Sequence, residues 1–354
     1  MSVNSVATIN QKAADADLAD PALVKLRDLI YRISGIFHAE SKFYLLAIRA
    51  RRRMKELNCN TFADYLDQLT TRANRDAEMR SLLNEITIGE TYFFRGQPTI
   101  DAVSKIIFPK IVSQPGKQVV KKLRVWSAGC STGEESYTLS ILFLEQIAPK
   151  FKDWKIEIVA TDLNDDSLAK CREGLYAEYS VRNLSPLMRD KYFKQEGNLY
   201  RVKDLVRAPI KFDRLNLQDP SKMLFMKGFD LVFCCNVLIY FDAPAKKRTV
   251  DHFFNGLIPG GHFFLGECET LFGIYEQFHL VHFPGATGYY KPAPGEVLLH
   301  RNESVATPRS RRIYFLQAPR VHLHRLITVA VEFARARRRI RSDQSFCLCI
   351  HASQ

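Results

Sequence analysis

The 354-residue sequence contains no run of 18 apolar residues and no cysteine pair spaced as C-x-x-C. The first absence excludes a membrane-spanning helix, which needs about 20 predominantly apolar residues. The second excludes the common zinc motifs and gives no sign of a disulfide framework, so we expect reduced cysteines and no bound metal. Residues 1–20 carry three Asp and lack the apolar core of a secretory signal. We therefore expect a cytoplasmic protein with a flexible N-terminus and no membrane insertion.

Lysine is absent from residues 301–354, which contain 11 Arg against three acidic residues. This segment supplies +8 of the net charge of +13, so the rest of the chain is only mildly basic. The change in composition marks a boundary near residues 295–300, and we expect residues 293–354 to form a poorly ordered Arg-rich tail. There are two alternatives to a poorly ordered tail. The run Arg335–Arg339 could bind an anionic surface, or the segment could be an out-of-frame reading of the end of the gene.

The stretch Leu123–Tyr137 (LRVWSAGCSTGEESY) consists of a short apolar run, a turn of small residues and the start of a helix that opens with two acids. The apolar run favours a buried strand, and the small residues after it let the backbone approach a ligand closely. The spacing Gly129-x-x-x-Gly133 lacks the dinucleotide pattern G-x-G-x-x-G, and Glu134 with Glu135 would repel a pyrophosphate. The stretch therefore predicts a site for a cationic nucleoside without phosphates, and S-adenosylmethionine is the candidate.

Residues 21–90 carry apolar side chains at helical spacing and predict a small all-helical N-terminal domain. Asp20-Pro21 starts the first helix, which ends at Ser34-Gly35, and shorter helices follow the second one. In the second helix, over about residues 41–57, four basic residues fall opposite the buried stripe: Lys42, Arg49, Arg52 and Arg53. Such a face is either a solvated surface or a docking surface for acidic partners.

From residue 123 onward, apolar strands alternate with helices, which predicts a doubly wound α/β domain over residues 91–292. Seven strands that end in an antiparallel pair around Gly285 fit the methyltransferase variant of this sheet. Asp162 follows the second strand, where an acid accepts hydrogen bonds from ribose hydroxyls, and Asn236 ends the apolar strand 229–237.

Four other segments complete the expected organisation. Residues 175–208 interrupt the alternation and predict an inserted β subdomain with a hairpin around Gly197. Residues 210–217 predict a strand that resumes the sheet. Residues 114–117 (QPGK) and 259–261 (PGG) predict turns.

Four motifs occur in this order along the chain: ITIGETYFFR (86–95), RVWSAGCSTGEESY (124–137), ATDLNDDSL (160–168) and FCCNVLIYFD (233–242). Together they resemble the motifs of the chemotaxis receptor methyltransferases, the CheR-type family. The resemblance covers about residues 20–292. It implies transfer of a methyl group from S-adenosylmethionine to glutamate side chains of methyl-accepting chemotaxis receptors, with S-adenosylhomocysteine as product and sensory adaptation as the outcome. It also implies that the basic helix docks on receptors, and we expect a monomer that binds no nucleic acid.

The resemblance implies cofactor-binding roles for Thr91, Arg95, Gly129, Glu134, Asp162, Asn216, Leu217, Asn236 and Val237. Within this set, Asp162 would hold the ribose, and Arg95 together with Tyr240 would lie near the transferred methyl group as the catalytic pair. We expect Glu134 to be the cofactor contact and Glu135 to be a helix-start residue.

Three positions depart from the family's pattern. Some members have Asn at the position of Gly89, and Arg is usual at the position of Cys235. The hairpin segment Phe193–Gly197 is shorter than in members that tether to a receptor's C-terminal pentapeptide, so we predict no tethering.

The expected reaction explains why no catalytic His or Cys stands out. A glutamate with a pKa near 4.3 is ionised at neutral pH and is itself the nucleophile, so the enzyme needs no general base. Two alternatives remain: a non-catalytic S-adenosylmethionine-binding scaffold in signalling, and a nucleic-acid methyltransferase. The second lacks support because no Pro-Pro-aromatic sequence follows Asn236.

Overall fold

The computed structural model describes residues 17–296. The expectations for residues 1–16 and for the Arg-rich tail from residue 297 onward, including Arg335–Arg339, lie outside the described residues. Within the described part, no helix is long and apolar enough to cross a membrane.

The helices of the described region are α1 Pro21–Ser34, α2 Phe43–Glu56, α3 Phe62–Thr70, α4 Arg75–Ile86, α5 Gln97–Ala102, α6 Phe108–Val112, α7 Pro115–Val120, α8 Glu134–Gln146, α9 Asp165–Glu173, α10 Glu178–Val181, α11 Pro186–Tyr192, α12 Asp204–Arg207, α13 Pro220–Met223 and α14 Ala243–Gly256. A π-helical segment, Val103–Ile107, joins α5 to α6, and short 3₁₀ segments occupy Glu40–Lys42 and Leu238–Tyr240.

The strands are β1 Lys122–Ala128, β2 Lys155–Asp162, β3 Leu175–Ala177, β4 Phe193–Glu196, β5 Leu199–Val202, β6 Ile210–Arg214, β7 Phe229–Cys234, β8 Leu257–Leu265, β9 His279–Phe283 and β10 Ala286–Tyr290.

Helices α1–α4 form the predicted helical N-terminal unit. Helix α1 begins where the Asp20 carboxylate accepts a hydrogen bond from the Ala22 backbone N–H at 2.8 Å, and it ends at Gly35 with φ of +72°. Helix α3 begins with a reciprocal capping box between Thr61 and Asp64. The apolar faces of the four helices share one core, which confirms the helical character expected from the sequence.

Arg53, which the sequence places on the basic surface, turns instead into this core. Its Nη2 atom lies 2.7 Å from Oε2 of Glu78, whose side chain is only 4% exposed. The Tyr65 hydroxyl donates to the same carboxylate at 2.7 Å. A buried carboxylate is stable only with such partners. The prediction that Arg53 faces the solvent is therefore wrong, because Glu78 on α4 draws it inward.

The main sheet has seven strands in the order β6-β2-β1-β7-β8-β10-β9. Strands β6, β2, β1, β7 and β8 are parallel, and β10 runs antiparallel to both of its neighbours. This arrangement confirms the doubly wound methyltransferase sheet. The strand order reverses at β1, so a crevice opens beyond the carboxyl ends of β1, β2 and β7, where such sheets bind ligands.

Four sequence expectations about local structure need correction. Residues 115–120 form helix α7 rather than a turn, and Pro259–Gly261 lies inside β8, where a register shift against β7 absorbs the extra residues. Strand β6 ends at Arg214 and β7 ends at Cys234. Both strands stop early, so the polar residues that follow them lie in loops at the crevice.

Both faces of the sheet are covered by apolar clusters. On one face, Trp126 packs edge-on against Phe253 with ring centroids 5.0 Å apart, and its indole N–H donates to Thr161 Oγ1 at 2.9 Å. On the other face, the helices α8 and α6 bury Val125 and Ile158. Residues 175–202 add a separate three-stranded sheet of order β3-β5-β4, whose hairpin turns at Gly197 as predicted.

Candidate functional site

A cavity of about 460 Å³ lies at the carboxyl ends of β1, β2 and β7. This is within the size range of small-molecule and cofactor sites. Nine of the residues singled out from the sequence line it: Thr91, Arg95, Gly129, Asp162, Asn216, Leu217, Asn236, Val237 and Tyr240. The helical unit closes one side through Ser34, Ile36 and Ile86.

The loop after β1 bends sharply around the cavity floor. Gly129, Ser131 and Gly133 have φ values of +77°, +50° and +98°. A Cβ atom on Gly129 would lie 2.4 Å from Cγ2 of Val237, so only glycine permits this close approach of the loop to the turn after β7. The Gly129 and Cys130 backbone N–H groups both donate to the Thr161 carbonyl, which fixes the loop to β2.

Asp162 stands at the end of β2 with its carboxylate on the cavity wall. Its two oxygens accept the backbone N–H groups of Ser131 at 2.7 Å and Asn164 at 2.8 Å. Burial raises the pKa of Asp162, and these hydrogen bonds oppose the shift. A carboxylate has about four acceptor positions, so two remain for hydroxyl donors in the cavity.

Both acids lie in the first turn of α8, and it is Glu135, not Glu134, that lines the cavity. Glu134 is 2% exposed, does not line the cavity, and accepts hydrogen bonds from Thr132 Oγ1 at 2.7 Å and Ser180 Oγ at 3.1 Å. Glu135 lines the cavity and accepts from Ser127 Oγ at 2.7 Å. The expectation that Glu134 is the contact and Glu135 a helix-start residue is therefore not supported by the geometry.

Burial raises the pKa of Glu135 to about 7, although hydrogen bonds from Ser127 and Cys235 and the nearby Arg95 charge oppose the shift. Burial also raises the pKa of the Cys235 thiol well above its usual value, so this side chain is neutral. Cys235 thus supplies no charge at the position where the family pattern has Arg.

The charged residues of the cavity lining are mostly acids. Glu90, Glu135, Asp162 and Glu267 line it, whereas Arg95 is the only basic residue among the described residues that do so. Arg95 is solvent-exposed, and its Nη1 donates to the Glu90 carbonyl at 2.7 Å. A guanidinium has five N–H donors, so Arg95 has further donors for a ligand at the cavity mouth.

The turn after β7 carries Asn236 and Val237 and leads to Tyr240. Asn236 has φ of +61°. The Glu269 carboxylate accepts three backbone N–H groups, from Asn236 at 2.6 Å, Gly266 at 2.8 Å and Ile239 at 3.1 Å. Glu269 therefore ties this turn to the end of β8. No pattern described above singles out Glu269, although it lies four residues beyond the end of β8, close to the kind of position that Asp162 has at the end of β2.

We expect Glu269→Ala to weaken ligand binding in this cavity by roughly tenfold, because three backbone donors lose a charged acceptor and the Asn236 turn loosens. Isothermal titration of the purified protein measures the effect. Glu276→Ala, at an exposed acid, is the matched control and should leave affinity unchanged. Equal affinity of Glu269→Ala and the wild type would show that the turn holds its shape without this carboxylate.

Asn216 lines the cavity but its side chain also serves the fold. Its Nδ2 donates to the Ile33 carbonyl at 2.6 Å, and its Oδ1 accepts the Gln218 N–H at 3.0 Å. Its contact with the helical unit shows how the two parts of the chain share one cavity wall. In the part of the chain from residue 17 to 296, no group of three or more His, Cys, Asp or Glu side chains is arranged to hold a metal ion.

Comparisons with known proteins match most of the chain. A family model described as the CheR methyltransferase SAM binding domain matches residues 89–286, and one described as the CheR methyltransferase all-alpha domain matches residues 21–87. The chain is 34% identical over 282 residues to chemotaxis protein methyltransferase 2 of Vibrio cholerae, covering 79% of this chain and 96% of that protein. It is 31% identical over 265 residues to the chemotaxis protein methyltransferase of Borreliella burgdorferi, covering 75% and 93%.

Proposed function

The chain belongs to the CheR methyltransferase family and is an S-adenosylmethionine-dependent methyltransferase, and we propose that it methylates glutamate side chains of chemotaxis receptors. The relatives are named as chemotaxis protein methyltransferases. The product on the receptor is a glutamate methyl ester. The reaction is proposed to take place on the cytoplasmic parts of the receptors.

The residues of the cavity fit S-adenosylmethionine. Glu135 and Asp162 give the walls negative charge that suits a sulfonium cation. Gly129 lets the loop after β1 pack directly against Val237, so that both line the same cavity. Asp162 would hold the ribose hydroxyls, while Asn216, Leu217, Asn236 and Val237 would flank the remaining parts of the molecule. When bound, this cofactor supplies an electrophilic methyl group.

The observation that carries the proposed substrate is the isolated positive charge at the mouth. Arg95 is the one basic residue among the described residues of the lining, and the other charged residues there are acids. An incoming carboxylate would be repelled by Glu90 and Glu267, so its favourable position is against the Arg95 guanidinium. We propose that Arg95 orients the receptor glutamate and that Tyr240 closes the pocket beside it.

The chemistry then requires alignment rather than proton transfer. A glutamate with a pKa near 4.3 reaches the site ionised. Arg95 would hold one carboxylate oxygen while the other attacks, and Tyr240 would exclude water from the reacting atoms. Orientation of this kind contributes several kcal/mol to catalysis. Burial raises the pKa of Tyr240, so its hydroxyl stays protonated near neutral pH.

Purified protein, labelled S-adenosylmethionine and receptor-rich membranes test this function directly. We expect base-labile methyl esters on the receptors. Label on added nucleic acid instead would indicate the nucleic-acid methyltransferase, and binding of the cofactor without any transfer would indicate the signalling scaffold. Receptors with their glutamates changed to alanine provide the matched control, since they should accept no label.

We also propose a receptor-docking surface on α2 and the 3₁₀ segment before it, formed by Lys42, Arg49 and Arg52. The Arg52 side chain is 67% exposed, and Lys42 is exposed as well. Arg49 is half-buried and donates to the Glu85 carbonyl at 2.9 Å, so less of its guanidinium is open to a partner. Positive charge on an exposed helix suits the Glu-rich helices of receptors. Arg53 is withdrawn from this surface because it pairs with Glu78.

We expect the double variant Lys42→Glu/Arg52→Glu to raise the KM for receptors about tenfold, because two attractive charges become repulsive. The Kd for S-adenosylmethionine should stay at the wild-type value. Arg80→Glu, at an exposed position of α4, is the matched control. An unchanged KM would exclude this surface from docking.

Arg53→Glu should behave differently from these surface variants. It places two carboxylates together in the core, with an expected loss of about 3 kcal/mol in the free energy of unfolding, so thermal denaturation separates it from a docking defect.

Two further features of the interaction are proposals. The protein acts as a monomer, and it does not tether to a C-terminal pentapeptide of the receptor. The compact turn at Gly197 between β4 and β5 supports the second statement.

A further inference from the structure

Arg182, just after α10 in the inserted subdomain, lies between two aromatic rings. Its Cζ atom is 3.6 Å from the ring centroid of Tyr92 and 3.7 Å from that of Tyr179. Its Nη1 donates to the Tyr179 carbonyl at 2.5 Å. Tyr179 belongs to the inserted subdomain, whereas Tyr92 lines the cavity between Thr91 and Arg95. A planar guanidinium stacks on such rings better than an ammonium group does.

The segment Thr91–Arg95, called here the linker segment, is anchored at its centre. The Phe93 N–H donates to the Ser180 carbonyl at 3.0 Å, and the Phe94 N–H donates to Thr138 Oγ1 at 3.1 Å. The Phe93 ring is fully buried. Thr91 and Arg95, which line the cavity, lie on either side of this anchor.

The Tyr92 ring lies between Thr91 and the anchored Phe93, and it contacts two arginines. One cation, Arg182, is stacked at 3.6 Å, and the Arg95 Cζ atom lies 5.8 Å from the same ring centroid. Because Tyr92 is only half-buried, the stacking on Arg182 replaces the contacts that a core would provide. Movement of Tyr92 would shift Thr91 and Arg95 along with it.

Helix α10 also contacts Glu134, the acid that follows the loop after β1. Ser180 Oγ donates to Glu134 at 3.1 Å, and Thr132 of the loop donates to the other oxygen of Glu134 at 2.7 Å. Helix α10 therefore contacts the linker segment on one side and, through Glu134, the loop after β1 on the other. This gives Glu134 a structural task that explains why it does not face the cavity.

We propose that Arg182, clamped between Tyr92 and Tyr179, is a positioning residue that fixes the linker segment so that Arg95 and Thr91 are held at the cavity. The catalytic part of this proposal rests on the proposed role of Arg95 toward the receptor glutamate; the structural part does not. Small displacements of an orienting group reduce the rate of the chemical step more than they reduce ground-state binding.

Kinetic measurements on the full chain test the catalytic part. Arg182→Met, which keeps a long side chain without charge, should lower kcat for receptor methylation about tenfold. The KM for receptors and the melting temperature should change little. Arg182→Lys should recover only part of the loss, because an ammonium group cannot stack between two rings. Arg80→Met is the matched control for removal of an exposed guanidinium.

The pairwise contact is tested by a double-mutant cycle. Tyr92→Leu should reduce kcat, and adding Arg182→Met to it should cause little further loss, since the stacking is already gone. Fully additive losses would show that Arg182 acts by another route and would overturn the clamp.

Hydrogen exchange provides a readout that needs no receptor. The amides of Phe93 and Phe94 should exchange about tenfold faster in Arg182→Met than in the wild type, with S-adenosylmethionine present in both. Unchanged exchange would overturn the proposal, whatever the kinetics, and faster exchange with an unchanged kcat would overturn its catalytic part. Failure of the wild type to methylate receptors would count against the proposed function and leave the exchange result to decide the clamp.

Discussion

Replacing Arg95 with alanine should lower kcat for receptor methylation by about 100-fold, because the receptor carboxylate loses the group that orients it toward the methyl group. The Kd for S-adenosylmethionine should change by less than about fivefold, because Arg95 is exposed and exposed charge contacts are weak. The acidic walls that attract the cofactor remain in place in this variant. The loss should therefore appear in the rate and not in cofactor affinity.

The measurement is a pair of experiments on Arg95→Ala and Arg95→Lys: steady-state methylation of receptor-rich membranes, and titration calorimetry with the cofactor. Arg95→Lys keeps the charge but loses the planar fork, so we expect it to recover only about one-tenth of the wild-type rate. Methylation by Arg95→Ala at the wild-type rate would remove Arg95 from catalysis. A large rise in the cofactor Kd with a normal kcat would instead assign Arg95 to the cofactor's own carboxylate.

The second large effect concerns Glu135 and pH. Because burial raises the pKa of Glu135 to about 7, this group is mostly ionised at pH 8 and mostly protonated at pH 6. A positively charged cofactor binds the ionised form better, so its Kd should rise as the pH falls. For one group titrating at about pH 7, the expected weakening between pH 8 and pH 6 is about tenfold.

Glu135→Gln removes this titration. At pH 8 it should bind S-adenosylmethionine about tenfold more weakly than the wild type, and the difference should shrink toward pH 6, where the wild-type group is neutral. Calorimetric titration at three pH values measures both effects. Burial also raises the pKa values of Asp162 and Glu134, so a pH dependence that remains in this variant would come from other acids such as these.

Glu134→Gln is the matched control for this experiment. Glu134 is the neighbour of Glu135 and the substitution removes the same carboxylate group, but the Glu134 carboxylate is turned toward Thr132 and Ser180. We expect it to keep the wild-type pH dependence. If Glu134→Gln lost the pH dependence and Glu135→Gln kept it, the assignment of the two acids would have to be reversed.

Much of the fold follows from patterns that a single segment contains. The apolar runs at β1 and β7, the cap at Asp20 and the glycine at Gly35 each specify a local structure without help from elsewhere. The alternation of strands and helices then leaves few topologies, and the parallel order places Asp162 at the crevice because carboxyl ends meet there.

The errors arise where a second element decides the outcome. A helical wheel drawn for α2 alone places Arg53 outside, because it does not include Glu78 on α4. Which of Glu134 and Glu135 faces the cavity depends on how α8 leaves Gly133, and adjacent helical residues differ by about 100° in direction. The sequence shows that both acids are present, but it does not predict the rotation of α8 about its axis that decides which of them faces the cavity. The residue roles at the site remain proposals for the experiments above.

The contacts between the helical unit and the sheet have a consequence for the gene. The Phe37 N–H donates to the Tyr240 carbonyl at 2.8 Å, and the Tyr31 hydroxyl donates to Asp242 at 2.8 Å. Ser34 and Ile36 form part of the cavity wall. Although two family models divide the sequence between residues 87 and 89, a gene fragment encoding only the second part would produce a sheet with an open-sided cavity. The two halves are therefore expected to be inherited together, and separating them by recombination should abolish cofactor binding.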